Sequence, residues 1–131
     1  MTANLTAHIS PEGRTAVEAD TGPTLPVTLV NSFIVPEGRD EAFMELWMET
    51  SDYFRRQPGF VGLRLHRALT PGASYRYVNV ARWASDADYR SPHATEEFRR
   101  LVTQDGWREF PSSPVLYEVV FAAGEGAGTT S

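Results

Sequence analysis

Along residues 27–123 the spacing of apolar side chains switches between two residues and about 3.6, and the switches lay out six elements. The run VTLVNSFIV (27–35) is short, apolar and β-branched, which predicts a first strand closed by Pro36-Glu37-Gly38. From Asp40, read as the N-cap, Phe43, Leu46, Trp47, Thr50 and Phe54 recur at helical spacing up to the stop at Pro58-Gly59. FVGLRLHRAL (60–69) alternates, with Val61, Leu63 and Leu65 on one side, and predicts a second strand. The Pro-Gly of TPGAS (70–74) marks a hairpin loop, and YRYVNVARW (75–83) is the third strand. Ser85 caps a helical turn over DADYR (86–90). A further helix starts at Ser91-Pro92, proline taking its tolerated first position, with Phe98, Leu101 and Val102 as the apolar stripe. DGWREFPSS reads as irregular, and PVLYEVVFAA (114–123) as the fourth strand.

The order β-α-β-β-α-β predicts an α+β, ferredoxin-like fold: a four-stranded antiparallel sheet with its helices on one face. The uncovered face is expected to carry Val30, Ile34, Val78, Val80, Leu116 and Val120, with Arg76, Arg82 and Glu118 in the same rows. Monomers rarely expose so apolar a face. A homodimer, sheet against sheet in a dimeric α+β barrel, is therefore expected. Residues 1–25 and 124–131 show neither period and are rich in Thr, Pro and Gly. They are expected to be a disordered arm and tail around one folded domain, 26–123.

Composition excludes several function classes. A chain of 131 residues, 41% of them hydrophobic, suits a single core. A net charge of −5 argues against a nucleic-acid partner. No window approaches the roughly 18 uninterrupted apolar residues of a membrane span, and the first 25 residues lack the pattern of a signal peptide. A soluble, cytoplasmic protein is expected. The absence of cysteine removes disulfides, thiolate nucleophiles and cysteine-bound metals. His8, His66 and His93 form no pair with metal-ligand spacing, so no metal site is expected. His66 is assigned to the uncovered sheet face and His93 to a solvated helix start. GEGAG follows the last strand instead of opening a helix, so it is no phosphate loop.

The third strand raises a question of its own. Read by twos, Asn79 shares a face with Tyr75, Tyr77, Ala81 and Trp83; Asn31 shares one with Val27, Leu29, Phe33 and Val35. Both amides fall on the more apolar, helix-covered face. A buried amide without a partner costs on the order of 1–3 kcal/mol. Either the two bond each other or backbone at a bulge, or a polar ligand sits between them.

The element order, the QPGF after the first helix and the N-V-A-R-W strand together resemble the antibiotic biosynthesis monooxygenase family, over about 27–121. The likeness is greater to its cofactor-independent members, which oxidise anthrones or naphthacenones to quinones in aromatic polyketide pathways. In those enzymes a strand-one asparagine and an Asn-x-x-x-Trp on strand three face the pocket, which here are Asn31, Asn79 and Trp83. The resemblance further implies a tyrosine six residues past the tryptophan, matched by Tyr89, and an arginine on the last helix, loosely matched by Arg100. Phe33, Phe43, Trp47, Tyr77 and Phe98 are the expected pocket walls.

The implied reaction needs no cofactor: an aromatic polyketide and dioxygen are the partners, and the substrate's own electrons reduce oxygen. Asn79 and Asn31 would steady an oxyanion, Trp83 would donate its indole hydrogen and Tyr89 would assist proton transfer. The same fold serves polyketide cyclases and accessory dimers, which remain alternatives. In heme-degrading relatives a further tryptophan and an axial histidine act; the corresponding offsets here hold Ser91 and Leu101, which disfavours heme.

Overall fold

The structure, a computed structural model, describes residues 25–124. The expected arm and tail lie outside them, apart from Leu25 and Gly124. The elements are β1 (Val27–Phe33), α1 (Asp40–Arg55), β2 (Phe60–Arg67), β3 (Tyr77–Trp83), α2 (Asp86–Arg90), a 3-10 turn (Ser91–Ala94), α3 (Glu96–Val102), a second 3-10 turn (Asp105–Glu109) and β4 (Ser112–Tyr117). The strands pair antiparallel in the order β2-β3-β1-β4, the ferredoxin-like arrangement expected. No helix among the described residues is long and apolar enough to cross a membrane.

The helices cover one sheet face. Phe43 and Trp47 of α1 pack on Phe33 and Tyr77 with Val35 and Phe110, while Leu29, Ala81 and Trp83 form a second cluster with Tyr89 of α2. Local signals explain α2 and α3: Ser85 Oγ accepts from the Asp88 N–H at 3.1 Å and Thr95 Oγ1 from the Phe98 N–H at 3.0 Å, each satisfying a first-turn donor. The Tyr53 hydroxyl donates to the Pro92 carbonyl at 2.6 Å, tying α1 to the segment that carries His93. Gly59 has φ +85°, and a Cβ there would meet the Asp88 side chain at 2.3 Å. Its carbonyl accepts from the Ala84 N–H at 2.7 Å, so this turn is pressed against the end of β3.

Several expectations are corrected. Asp40 opens α1 without capping it. Its carboxylate takes the Arg76 guanidinium at 2.8 Å. That bond holds the Asp40 carboxyl below its usual range and removes Arg76 from the open sheet face. β2 carries a bulge at Phe60/Gly62, which inverts parity. Phe60 turns inward, and Val61, expected beside Leu63 and Leu65, is 52% exposed. β1 ends at Phe33 and β3 starts at Tyr77, leaving Tyr75 exposed and outside the strand. β4 begins two residues early and stops at Tyr117. Its register sets Leu116 beside Leu29 and Val115 beside Val30, so Leu116 faces inward and Val115 outward. Val120 lies beyond the strand, exposed with Val119 and Phe121.

Candidate active site

The pairing of β1 with β3 sets Asn31 directly opposite Asn79. Neighbouring antiparallel residues point to the same side, so both amides rise from the centre of the helix-covered face. Trp83, two pleats further along β3, joins them on that face and is only 2% exposed. Sheet and helices do not close fully over this line. They leave a partly open cavity of about 210 Å³ between the two apolar clusters. Its walls are largely aromatic: Phe33 from β1, Trp47 and Phe54 from α1, Phe60 from β2, Phe98 from α3, and Trp107 and Phe110 from the second 3-10 turn and its end.

The polar atoms in this space are poorly satisfied. Asn31 Oδ1, Asn79 Oδ1 and Trp83 Nε1 are buried and have no hydrogen-bond partner. The two asparagines therefore do not solvate each other's carbonyl oxygens. An orphaned buried group of this kind costs about 1–3 kcal/mol. Trp107 shows the ordinary arrangement, its indole N–H donating to Thr50 Oγ1 at 3.3 Å. The Tyr77 hydroxyl is likewise buried and unpartnered, but Tyr77 lies outside the cavity lining. Rotation of an asparagine about its Cβ–Cγ bond exchanges oxygen and NH2. Each amide can thus meet a hydroxyl or an oxyanion, while the indole offers only a donor.

Tyr89 and His93 supply the titratable groups of the cavity wall; no carboxylate, lysine or arginine is among the described lining residues. Tyr89 sits edge-on to Trp83, ring centroids 5.9 Å apart, and burial pushes its phenol well above the ordinary value, keeping the proton on oxygen. His93 packs among Phe54, Tyr89 and Phe98 with centroids at 5.1, 4.6 and 4.7 Å. Burial lowers its pKa; the bond to the Tyr89 carbonyl opposes that shift and Arg90 reinforces it. The ring is thus neutral at pH 7.

Of the residues expected at the site, Asn31, Asn79, Trp83, Tyr89, Phe33, Trp47 and Phe98 line the cavity. Phe43 and Tyr77 do not; they pack against each other, rings tilted and centroids 4.7 Å apart, in the core behind it. Arg100 is exposed on α3 and outside the lining, because the inward stripe of that short helix is taken by Phe98 and Val102. His93 was placed in solvent by its position at a helix start, and the structure puts it in the wall. The overlooked signal is its i,i+4 spacing from Tyr89, which sets both on one side of a continuous turn.

Residues 26–104 match the family described as antibiotic biosynthesis monooxygenase. The chain is 40% identical over 68 residues to tetracenomycin-F1 monooxygenase of Streptomyces glaucescens, covering 51% of this chain and 58% of that protein. It is 37% identical over 81 residues to deoxynogalonate monooxygenase of Streptomyces nogalater, covering 62% of this chain and 58% of that protein. The chain thus spans under two thirds of the length of these curated relatives. Among solved structures, SnoaB, a cofactor-independent oxygenase from Streptomyces nogalater, superposes with a TM-score of 0.65 and 31% identity, covering 76% of this chain and 98% of that one.

Proposed function

The chain belongs to the antibiotic biosynthesis monooxygenase family, and we propose that it oxidises a polycyclic aromatic polyketide, an anthrone or naphthacenone, to a quinone with dioxygen and without a cofactor. The observation that carries this reading is the set of three unpartnered polar atoms, Asn31 Oδ1, Asn79 Oδ1 and Trp83 Nε1, inside an aromatic-walled cavity. A flat polycycle bearing hydroxyl and keto groups supplies what they lack: hydroxyl hydrogens for the amide oxygens and an oxygen for the indole. The similarity to the tetracenomycin-F1 and deoxynogalonate monooxygenases and to a cofactor-independent oxygenase supports this general kind of reaction.

The reaction balances on substrate and oxygen alone. The CH2 of the anthrone loses a proton, and the electron pair spreads over the rings as a phenolate. One electron passes to dioxygen, and the radical pair combines into a carbon-bound peroxide that takes up a proton. Loss of the second C–H proton with cleavage of the O–O bond releases water and leaves the carbonyl. Asn79 and Asn31 stabilise the phenolate oxygen through their amide hydrogens. Trp83 donates to the peroxide, and Tyr89, held protonated, assists at its far oxygen.

The outer sheet face, with Val30, Val78, Val80 and Val115, is the surface on which a second copy would close a dimeric barrel. The test of function is oxygen consumption with 1,8-dihydroxyanthrone, no flavin or metal added and chelator present. One oxygen taken up per quinone formed is expected. No uptake above the uncatalysed rate overturns the proposal.

A further inference from the structure

We propose that His93 is the catalytic base of this cavity, its Nε2 taking the proton from the anthrone carbon and returning it to the peroxide. The inference rests on the monooxygenase reading of the same site and adds the group that reading lacks. The amides and the indole hydrogen-bond but do not accept a proton at neutral pH, and Tyr89 is already protonated. Among the described lining residues, His93 is the remaining group able to act as a base.

Its geometry fits the role. His93 Nδ1 lies 2.9 Å from the Tyr89 carbonyl oxygen, which can only accept, so Nδ1 carries the hydrogen. In the neutral ring Nε2 then holds a bare lone pair. The Tyr89 carbonyl also fixes the ring's orientation, as a backbone carbonyl does for many working histidines. His93 lies against Tyr89, which in turn lies against Trp83, so the proton acceptor and the peroxide donor share one end of the cavity. Phe54 of α1 and Phe98 of α3 close the other sides of the ring with hydrocarbon. The nearby groups that bear on its charge are Tyr89, which stays neutral, and Arg90, which disfavours the imidazolium. The base is therefore free at neutral pH.

The balance is simple. Nε2 removes H+ as the C–H pair enters the ring system. After oxygen has added, the imidazolium delivers H+ to the terminal peroxide oxygen and returns to its neutral form. The neutral ring then takes the second C–H proton, and protonation of the departing hydroxide releases water and resets the histidine.

His93→Gln keeps a donor for the Tyr89 carbonyl and removes the base. With 1,8-dihydroxyanthrone it should lower kcat by about 100-fold at pH 7, within the usual range for a general base. The fall in kcat/KM on the acid side should vanish with it, while binding of anthraquinone, followed by tryptophan quenching, stays unchanged. His93→Ala should regain activity with added imidazole. In the wild type, the 15N signals of His93 should show hydrogen on Nδ1 and titrate together with the acid limb of kcat/KM, a readout that needs no variant. A His93→Gln enzyme with wild-type turnover, or one slowed but retaining the acid limb, overturns the role of His93 and leaves the monooxygenase reading standing. Wild-type protein that consumes no oxygen with any anthrone defeats both.

Discussion

The unpartnered amide oxygen of Asn79 predicts that this residue harms the stability of the empty protein. Asn79→Leu replaces the amide with a branched alkyl group of similar shape at a position only 8% exposed. The change removes a buried acceptor that has no donor. Restoring the hydrogen-bond balance is worth about 1–3 kcal/mol, and the leucine adds apolar burial of the same sign. Part of the new side chain faces the cavity, so the lower end, about 1 kcal/mol, is the working value. For a folded region of about a hundred residues that is a rise in Tm of roughly 4–8 °C. The assay pairs thermal unfolding followed by circular dichroism, without substrate, with oxygen uptake on an anthrone. Turnover should fall by about 10²-fold or more, the usual loss for one oxyanion donor. A Tm that is unchanged or lower refutes the reasoning, because Asn79 would then be making a bond that holds β3 in place.

Other changes separate site from scaffold. Trp83→Phe keeps most of the ring and removes the N–H, so oxidation should slow while anthraquinone binding by fluorescence titration is largely kept; an unchanged turnover removes the indole from the chemistry. Arg100→Ala should leave turnover and Tm at wild-type values in the same two assays, since the side chain is exposed and away from the cavity. Gly59→Ala should cost at least about 1–2 kcal/mol from the left-handed backbone alone, seen as a lower Tm, with the contact against Asp88 adding to it. Light scattering should give about twice the 14.6 kDa chain mass for the proposed dimer; a monomer at micromolar concentration argues against a sheet-to-sheet barrel.

The fold was legible because its elements announce themselves at both ends. Pro36-Glu37-Gly38, Pro58-Gly59 and Pro71-Gly72 sit between runs of clear period, and the cap Ser85 stands one residue before its helix; the helix expected from Ser91-Pro92 instead begins at Glu96, after a 3-10 turn and a Thr95 cap. What was not legible is parity where both faces are apolar. In PVLYEVVF either alternation offers hydrophobic residues, and the choice was made by pairing with β1, which seats Pro114 opposite Asn31 and turns Leu116 inward. In FVGLRL the bulge at Phe60/Gly62 inserts one residue, and no local composition separates a bulge from a regular strand there. Asp40 looks like a cap by type but is claimed by Arg76, a residue 36 positions away. Long-range ion pairing of that kind is invisible to a window.

The site divides along the same physical line. Residues on β1 and β3 could be placed from alternation alone, because a strand fixes direction every second residue; Asn31, Asn79, Trp83 and Phe33 all line the cavity. Residues on short helices were reached only in part: Phe98 and Tyr89 line the cavity as expected, whereas Arg100 does not. The sixteen residues of α1, about four and a half turns, define a face well enough to bring Trp47 to the wall, but α3 has seven residues, and Arg100 lies off its inward stripe. His93 sits on a four-residue 3-10 turn whose direction is set by a Tyr53 hydroxyl reaching across from α1 to the Pro92 carbonyl. Without that contact the histidine is one more polar residue at a helix start. With it, the ring turns from solvent into an aromatic wall, where burial favours its neutral form. In the proposed mechanism the strands carry the hydrogen-bonding half of the site, which alternation reveals, and the short helical segments carry the proton-transferring half, whose histidine only tertiary packing turns inward.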